Sequence, residues 1–363
     1  MNYLRRGTVL LCIASLLVLG CASASTANAA KPSNTGPQIS SARCAANRAA
    51  GTITFLSAFG YDASAGILDV YAATQLGYFR QLCLSVTFNP NLSFAPVYPE
   101  VSSGVATITG EGSAADDLVA VGNGAAFTAV STFGETSDYA LLTRSSITSL
   151  RQLDGKTLGY HTQLPVVLTE MLQKAGVDVS KVHEVNDISF DPTLLVHGPY
   201  TALQAYQSNE PLTLDADGYA KDFTEWRPAQ FAVSGTFNVQ VVNTKFLEKH
   251  RDAVQDFLRA ELHAFDYCVA NATRCIDLTA KAAGKTFDVA HELAEWQLES
   301  ALAIHHTVPG RGVGVETTSE WTPEATAVMQ DKLVRKPVDL VTAENTSIAA
   351  SLYHGSKLIW PGP

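Results

Sequence analysis

The 363-residue sequence lacks several features that would point to common classes of protein. Lys and Arg number 25 against 35 Asp and Glu, which gives a formal net charge of −10. Because nucleic-acid binding requires clustered basic side chains, this balance argues against nucleic acid as a partner. Beyond the N-terminus we find no run of about 18 apolar residues, so the body of the chain is not expected to span a membrane.

Sequence motifs for catalysis and for metal binding are also missing. Residues 291–295 (HELAE) lack the second His of a zinc-protease motif. Around Ser113, the two positions that must be Gly in a nucleophile elbow are Glu111 and Ala115. The neighbouring His305 and His306 are not expected to point to one ion, and the cysteines show no metal-binding spacing. We therefore predict no catalytic residue, no metal site and no cofactor.

The N-terminus carries an export signal. Arg5 and Arg6 precede an apolar stretch over residues 7–20, the length of a signal-peptide core. This stretch ends at Cys21 in a sequence that resembles the bacterial lipobox, and residues 1–21 are predicted to be a lipoprotein signal peptide. Lipidation at Cys21 would anchor the exported protein to the outer face of the cytoplasmic membrane. Cleavage after Ala29 is the alternative.

The residues after the signal predict a tether and two disulfides. Residues 22–50 are rich in Ala, Ser and Asn and are predicted to be a flexible tether. An even number of cysteines in an oxidising compartment predicts two disulfides among Cys44, Cys83, Cys268 and Cys275, with three possible pairings. Cys268 with Cys275 is favoured, because they lie seven residues apart around a predicted helix end. Four small buried thiols are the alternative.

Hydrophobic periodicity divides the body into three parts. The first part is β-rich, the second alternates strands with helices, and the third is helical after Thr244. The strands predicted in the first part are residues 52–55, 84–88, 101–109 and 118–121, with a helix over 67–77. A chain that leaves one lobe, builds a second and returns forms a cleft between two lobes. The predicted fold is therefore α/β, with residues 51–142 and 243–353 as lobe 1, residues 143–242 as lobe 2 and residues 354–363 as a tail.

The segment over residues 201–212 is the most informative stretch. Residues 201–206 are predicted to be a buried strand, and Asn209 or Glu210 can cap a helix that begins near Pro211. Open α/β sheets bind ligands where strands end and helices begin. A ligand contact and a plain helix cap are both consistent with this segment.

Several motifs occur in an order that is typical of one family. Residues 76–79 (LGYF) with 84–86 (LSV), and then 153–160 (LDGKTLGY), resemble the entries to its first and second lobes. Residues 190–192 (FDP) and 206–211 (YQSNEP) resemble its pyrimidine-binding branch. Over residues 51–353 the chain thus resembles the substrate-binding proteins of bacterial ABC importers, in the group related to thiamine-pyrimidine synthases and to sulfonate and taurine binders. The resemblance implies a two-lobe, type 2 periplasmic-binding-protein fold with the ligand between the lobes.

The sequence departs from this family at two places. The loop after Tyr160 begins His161-Thr162-Gln163, where relatives often have glycines, so its backbone is less suited to wrapping a phosphate or sulfonate. Enzymatic relatives carry a Cys-rich motif and a Lys that holds pyridoxal phosphate, and no such Cys cluster occurs here. The absence of the Cys cluster argues for binding without catalysis.

The resemblance implies ligand contacts from both lobes. Asn209 and Glu210 can hydrogen-bond an amino-substituted heterocycle, although each could cap a helix, as could Ser113 with Asp116. Aromatic candidates could stack on a planar ligand or pack in the core. The remaining predicted contacts are Tyr61, Asp62, Ser113, Asp116, His161, Thr162, Tyr206, Trp226 and Asn238.

The expected function is that of a monomeric, lipid-anchored solute-binding protein of an ABC importer. It would close over a small heterocycle, such as a thiamine pyrimidine precursor, and deliver it to a membrane permease and its ATPase. A pyridoxal-phosphate-dependent pyrimidine synthase, a sulfonate or taurine binder and a riboflavin binder are the alternatives. If Glu210 contacts the ligand, Glu210→Ala is expected to weaken binding and to leave the melting temperature near that of the wild type.

Overall fold

The computed structural model describes residues 38–92, 96–161, 163–186, 191–305 and 308–362. The predicted signal peptide with Cys21, most of the predicted tether, and Thr162 lie outside the described residues. Residues 35–363 form one compact unit. Within the described ranges, no helix combines the length and the apolar character needed to cross a membrane.

Strands and helices alternate through the first two thirds of the chain, and helices dominate the last third. The strands are β1 Thr52–Leu56, β2 Ser85–Asn89, β3 Ile108–Glu111, β4 Phe127–Gly134, β5 Tyr139–Arg144, β6 Thr157–Tyr160, β7 His183–Asn186, β8 Ala202–Tyr206, β9 Phe223–Trp226, β10 Phe237–Asn243, β11 Tyr353–His354 and β12 Lys357–Leu358. The helices are α1 Ser41–Ala49, α2 Leu68–Leu76, α3 Tyr78–Gln81, α4 Tyr98–Ser103, α5 Ala114–Gly122, α6 Val166–Lys174, α7 Thr193–His197, α8 Glu210–Ala216, α9 Thr244–Lys249, α10 Arg251–Ala270, α11 Ala272–Ala283, α12 Val289–His305, α13 Thr318–Gln330, α14 Leu340–Ala343 and α15 Ser347–Ala350, with short 3₁₀ turns at Leu150–Leu153, Val179–Lys181 and Pro228–Phe231.

Two mixed five-stranded sheets organise the molecule. The first has the order β2-β1-β3-β10-β4, in which β10 runs antiparallel to both of its neighbours. The second has the order β7-β6-β8-β5-β9, in which β5 runs antiparallel to both of its neighbours. Each sheet is covered by apolar clusters, because its central strands are buried on both faces. These two sheets with their helices are the two lobes, and they confirm the predicted two-lobe α/β fold.

The chain crosses between the lobes twice. It leaves the first sheet at the end of β4, Gly134, and enters the second at Tyr139. It leaves β9 at Trp226 and returns to the first sheet at Phe237. The predicted limits of lobe 2, residues 143–242, stay a prediction.

The N-terminal helix is fixed to lobe 1, although the sequence placed its residues in the flexible tether. Cys44 of α1 forms a disulfide with Cys83. Arg43 Nε and Asn47 Nδ2 both donate to Asp256 Oδ2 of α10, at 2.7 and 2.6 Å. The residues of α1 that are buried are Cys44 and Asn47, so the helix is held by a disulfide and by polar contacts, and the Ala- and Ser-rich composition of the segment suggested a tether. The second disulfide joins Cys268 and Cys275, and this confirms the favoured pairing.

Two predicted strands of the first lobe are wrong. Residues 101–109 begin inside α4, which has a Pro in its first turn and ends at Gly104 in a left-handed conformation, and only Ile108 and Thr109 belong to a strand. Residues 118–121 lie in α5, which a capping box between Ser113 and Asp116 initiates. In both places the local capping residues determine the structure more strongly than the β-branched side chains do.

Candidate functional site

Two adjoining cavities lie between the lobes. The first, of about 370 Å³, is lined by residues that include Gly112 and Asn238 of lobe 1 and Tyr139 of lobe 2. The second, of about 390 Å³, is lined from lobe 2 by residues 206 and 208–210. They share Phe59, Ser64, Tyr206 and Glu299. We call the two together the cleft.

Aromatic rings form one wall of the cleft. Tyr206 stacks on Tyr139 with ring centroids 5.0 Å apart and an interplanar angle of 29°. Phe59 of lobe 1 meets Tyr206 edge to face at 5.8 Å. Tyr206 ends β8 and Phe59 follows β1, so loops at the ends of strands from both sheets bring these rings together. A flat ligand ring can stack against such a wall.

Carboxyl groups form another wall. Glu292, Glu295 and Glu299 lie three or four residues apart on α12, so they share one helix face. Glu299 accepts hydrogen bonds from Ser64 Oγ at 2.7 Å and from the Ala65 backbone N–H at 2.7 Å. The α12 face thereby places Glu295 and Glu299 in the cleft and Glu292 beside it, near Asp62. We call these three residues, together with Asp62 and Asp138, the cleft acids.

Asp138 and Ser208 link this acidic wall to lobe 2. Asp138 lies in the first crossing and is 4% exposed. Ser208 Oγ is 2.7 Å from Asp138 Oδ2 and 3.0 Å from Glu299 Oε1, close enough to donate to either oxygen. Because Glu299 belongs to lobe 1 and Ser208 to lobe 2, this contact closes the cleft.

The cleft carboxyls hold protons more strongly than ordinary acids do. Burial raises the pKa of Glu299 to about 7 and that of Glu292 to about 8. Burial, together with the neighbouring carboxylates, raises the pKa of Asp138 and of Glu295 well above the usual range. Burial also raises the pKa of Asp62. Ionising these carboxyls costs free energy, because they are buried away from water and lie close to other carboxylates.

Positive charge is scarce around these acids. In the described part of the chain, the residues that line the two cavities include neither Lys nor Arg. His291 of α12 lies beside the cleft, with Nε2 3.1 Å from Asn209 Oδ1 and 3.5 Å from Glu295 Oε2. A negatively charged ligand would therefore find few positive groups, and it would be repelled by each carboxyl that is ionised.

One group of acids in the cleft has the spacing of a metal site. The nearest carboxylate oxygens of Asp62, Glu292 and Glu295 all lie within 4.8 Å of one another. Such an arrangement could hold a divalent cation by geometry. We assign no ion to it, because nothing besides the clustering of the acids points to one.

The Asn209–Glu210 turn lies in the cleft, but its contacts differ from a simple cap. The Asn209 side chain makes no capping hydrogen bond and instead contacts His291. Glu210 is 5% exposed, and its Oε2 accepts a hydrogen bond of 2.7 Å from the Tyr206 backbone N–H. Its Oε1 lies 3.7 Å from His161 Nε2, and the His161 backbone N–H donates to Gln204 Oε1. Glu210 thus holds the end of β8 in place.

The predicted lobe 1 contacts fall into two groups. Asp62 and Asn238 line the cleft. Asn238 adopts a φ of 50°, and its backbone N–H donates to the Gly112 carbonyl at 2.9 Å, which brings its side chain against Gly66. Ser113 and Asp116 lie behind the cavity wall, where the Asp116 carboxylate accepts from Ser113 and lies 3.3 Å from the Tyr139 hydroxyl.

Two predicted aromatic contacts lie away from both cavities. Tyr61 stacks on Phe88 at 5.6 Å and meets Tyr71 edge to face at 5.4 Å, so it packs against its own lobe. Trp226 donates from Nε1 to Thr143 Oγ1 at 2.8 Å within the second sheet. Neither ring lines the cleft.

Sequence reasoning missed the cleft acids Asp138, Glu292, Glu295 and Glu299, and also Tyr139. The acids on α12 had a usable signal, since acidic residues at a spacing of three and four on an otherwise apolar helix mark a buried acidic face. Asp138 lies in a short crossing between strands and offered no periodicity that could identify it.

Comparison with known proteins places the chain in a family. The model of the NMT1/THI5-like family matches residues 64–274, more than half of the chain, and this confirms the resemblance found in the motifs. A search of the curated proteins found no match.

Solved structures show the same fold at low sequence identity. A putative periplasmic sulfonate-binding protein of an ABC transporter from Methylobacillus flagellatus is 13% identical, with a TM-score of 0.59, over 83% of this chain and 93% of its own. A ligand-binding component of an ABC-type import system from Staphylococcus aureus, with zinc bound, is 13% identical, with a TM-score of 0.59, over 82% and 97%. The desulfurization enzyme DSZB is 12% identical, with a TM-score of 0.52, over 83% and 98%. The fold is therefore shared by binding proteins and by an enzyme.

Proposed function

Since the chain belongs to the NMT1/THI5-like family and has the type 2 periplasmic-binding-protein fold, we propose that it is the solute-binding component of an ABC importer. The observation that carries this proposal is the cleft between the lobes, closed by the Ser208–Glu299 contact and reached by residues of both sheets. A ligand that contacts both lobes stabilises the closed form, which the importer's permease and ATPase then recognise.

The solute that fits best is a small planar heterocycle with amino substituents, such as a thiamine pyrimidine precursor. Tyr206, Tyr139 and Phe59 offer ring faces and edges. The cleft acids and Asn238 offer hydrogen-bond acceptors to ring amines. A sulfonate or taurine is disfavoured by the acidic lining, which contains neither Lys nor Arg among the described lining residues.

We propose binding without catalysis. The acids of the cleft surround the space for the solute, but no Lys lines either cavity in the described part of the chain to hold pyridoxal phosphate. The protein is proposed to be exported and anchored by a lipid on Cys21, in keeping with its two disulfides.

Native mass spectrometry of the protein purified from the organism that makes it tests this function. We expect a co-purified small molecule whose removal lowers the melting temperature and whose return restores it. A thermal-shift panel of aminopyrimidines, flavins and sulfonates then ranks the classes, with aminopyrimidines expected to give the largest shift.

The matched variants are Tyr206→Ala, at the cleft, and Tyr219→Ala, whose hydroxyl contacts His197 outside the cavities. We expect the first to lower affinity about tenfold, from the lost stacking surface, and the second to leave affinity unchanged. Equal effects of the two variants would contradict the proposed site.

A further inference from the structure

Asp138 presents an unused acceptor to the cleft. It lines the first cavity, and its Oδ2 accepts from Ser208. Its other oxygen, Oδ1, is buried and accepts no hydrogen bond from any described residue. Asn238 lines the same cavity, and its Oδ1 is likewise buried without a donor among the described residues. A buried acceptor left without a donor costs stability, so two such atoms at one cavity call for a ligand that donates.

The charge around Asp138 is not balanced from within the protein. Glu299 shares the Ser208 hydroxyl with it, so two acids flank one donor. The basic side chain that interacts with Asp138 electrostatically is Arg227, but its guanidinium is bound to both oxygens of Glu225, at 2.6 and 3.1 Å. Among the described residues that line the cleft there is no Lys or Arg, and a ligand can bring the missing cation.

We propose that the solute carries a positively charged amino group, as an ammonium, amidinium or guanidinium, and that Asp138 Oδ1 and Glu299 bind it while the attached ring stacks on Tyr206. This inference rests on the proposed solute-binding function and narrows it to cations. The charge-assisted hydrogen bonds of such a group are stronger than those of a neutral amine. The side-chain oxygen of Asn238, Oδ1, can accept a hydrogen bond from the same group, because Asn238 lines the same cavity as Asp138.

Cation binding of this kind is coupled to proton release. The empty cleft holds protons on its acids, since the pKa of Glu299 is about 7 and that of Asp138 lies well above its usual range. A bound cation favours the ionised acids, so affinity should rise as the pH passes upward through 7. The titratable or charged groups that face these two acids are Asp62, Asp69, Glu210, Glu225, Arg227, Glu295 and, beside them, His161 and His291.

Fractionated small-molecule extract of the producing organism gives the first test. The extract is separated into a cation-exchange-retained fraction, an anion-exchange-retained fraction and a neutral fraction, and each is added to the ligand-free protein. We expect only the cationic fraction to raise the melting temperature. If the neutral or the anionic fraction raises the melting temperature instead, the proposal that the solute is a cation is overturned and the proposed solute-binding function stands. If no fraction acts, both are overturned.

Matched variants and probes give the second test. Among benzamidine, benzamide and benzenesulfonate, which share a ring and differ in charge, only benzamidine should bind measurably by calorimetry. Asp138→Asn keeps the shape and removes the charge, so it should weaken benzamidine binding about tenfold or more. Glu299→Gln should also weaken benzamidine binding. Agreement between the two variants would show that the loss in Asp138→Asn is not caused by a local structural change at Asp138.

Glu170→Gln is the control, because Glu170 pairs with Lys174 on α6 outside the cavities. It should leave benzamidine binding unchanged. Three results would each overturn the proposal that the solute is a cation. The first is that benzamide or benzenesulfonate binds as tightly as benzamidine or more tightly. The second is that Asp138→Asn and Glu299→Gln lose no affinity for benzamidine, and the third is that this affinity falls as the pH rises.

Discussion

Two buried acidic sites in this protein differ in whether basic side chains of the chain neutralise them. At the first, Asp256 of α10 receives Arg43, Asn47 and Arg259, with contacts of 2.7, 2.6 and 3.2 Å. At the second, the cleft acids Asp62, Asp138, Glu292, Glu295 and Glu299 face one another without an Arg or Lys among the described lining residues. Both sites are buried, so the cost of desolvating charge is similar, and the difference lies in the source of the cation.

This contrast separates a structural site from a binding site. Around Asp256 the chain supplies its own cations, and the result is a fixed contact between α1 and α10. In the cleft the acids remain protonated or repel one another, and this destabilises the site that we propose binds the solute. Three further changes test the contrast.

The largest expected effect is at Asp256. Asp256→Ala leaves Arg43 and Arg259 without their buried partner, so it should lower the free energy of unfolding by about 3–5 kcal/mol. Urea unfolding followed by circular dichroism measures the change.

The control is Asp252→Ala. Asp252 pairs with another nitrogen of the same Arg43 but is exposed, so its loss should cost about 1 kcal/mol or less. Similar costs for the two variants would show that the Asp256 site does not fix α1 in place.

An intermediate effect is expected at Glu210. Glu210→Ala leaves the buried Tyr206 N–H without an acceptor, which should lower stability by about 1–3 kcal/mol. This changes the expectation drawn from the sequence, in which the melting temperature stayed near the wild-type value. Glu210→Gln keeps an acceptor oxygen, so in thermal unfolding it should lie closer to the wild type than Glu210→Ala does. The reverse order would show that Glu210 does not hold the end of β8.

The smallest expected effect is in the cleft acids themselves. Glu292 and Glu299 bind protons in the folded state that the unfolded chain has already released, so stability should fall as the pH rises through their pKa values of about 8 and 7. Comparing melting temperatures at pH 6.5 and about pH 9 excludes most of the opposing contribution of His263, whose pKa burial lowers to about 4 from 6.5.

Glu292→Gln should reduce this loss of stability between the two pH values. The reduction should be about 1 kcal/mol or less in the free energy of unfolding, because Glu292 is only partly buried. Glu184→Gln, on an exposed position of β7, should leave the slope unchanged. A slope that rises with pH in the ligand-free protein would contradict the protonated state of the cleft.

Local patterns predicted the fold better than they predicted the site. The order of motifs gave the two lobes, and the spacing of Cys268 and Cys275 gave their disulfide. The sequence also predicted that the 201–212 segment lies at the cleft, because a strand end followed by a helix start can be identified from local sequence. The side chains of Asn209 and Glu210 form contacts within the protein, and only the folded chain shows that Asn209 contacts α12 from the other lobe.

The cleft acids could not be located in the same way. Asp138 and Glu299 are far apart in the sequence and meet through Ser208. Tyr61 and Trp226 were predicted as ligand contacts because they are aromatic and lie near loops, but the same ring surfaces also pack well in a core. The difference between these two uses depends on tertiary neighbours, which spacing along the chain does not encode.

The position of Trp226 has a consequence for optical measurements. The tryptophans are Trp226, Trp296, Trp321 and Trp360, and none of them lines either cavity. Trp226 lies in the second sheet, whereas Trp296 and Trp321 are buried in the core of lobe 1. A solute in the cleft therefore touches no indole ring, and any change in intrinsic tryptophan fluorescence during a titration reports movement of the lobes and not direct contact with the solute.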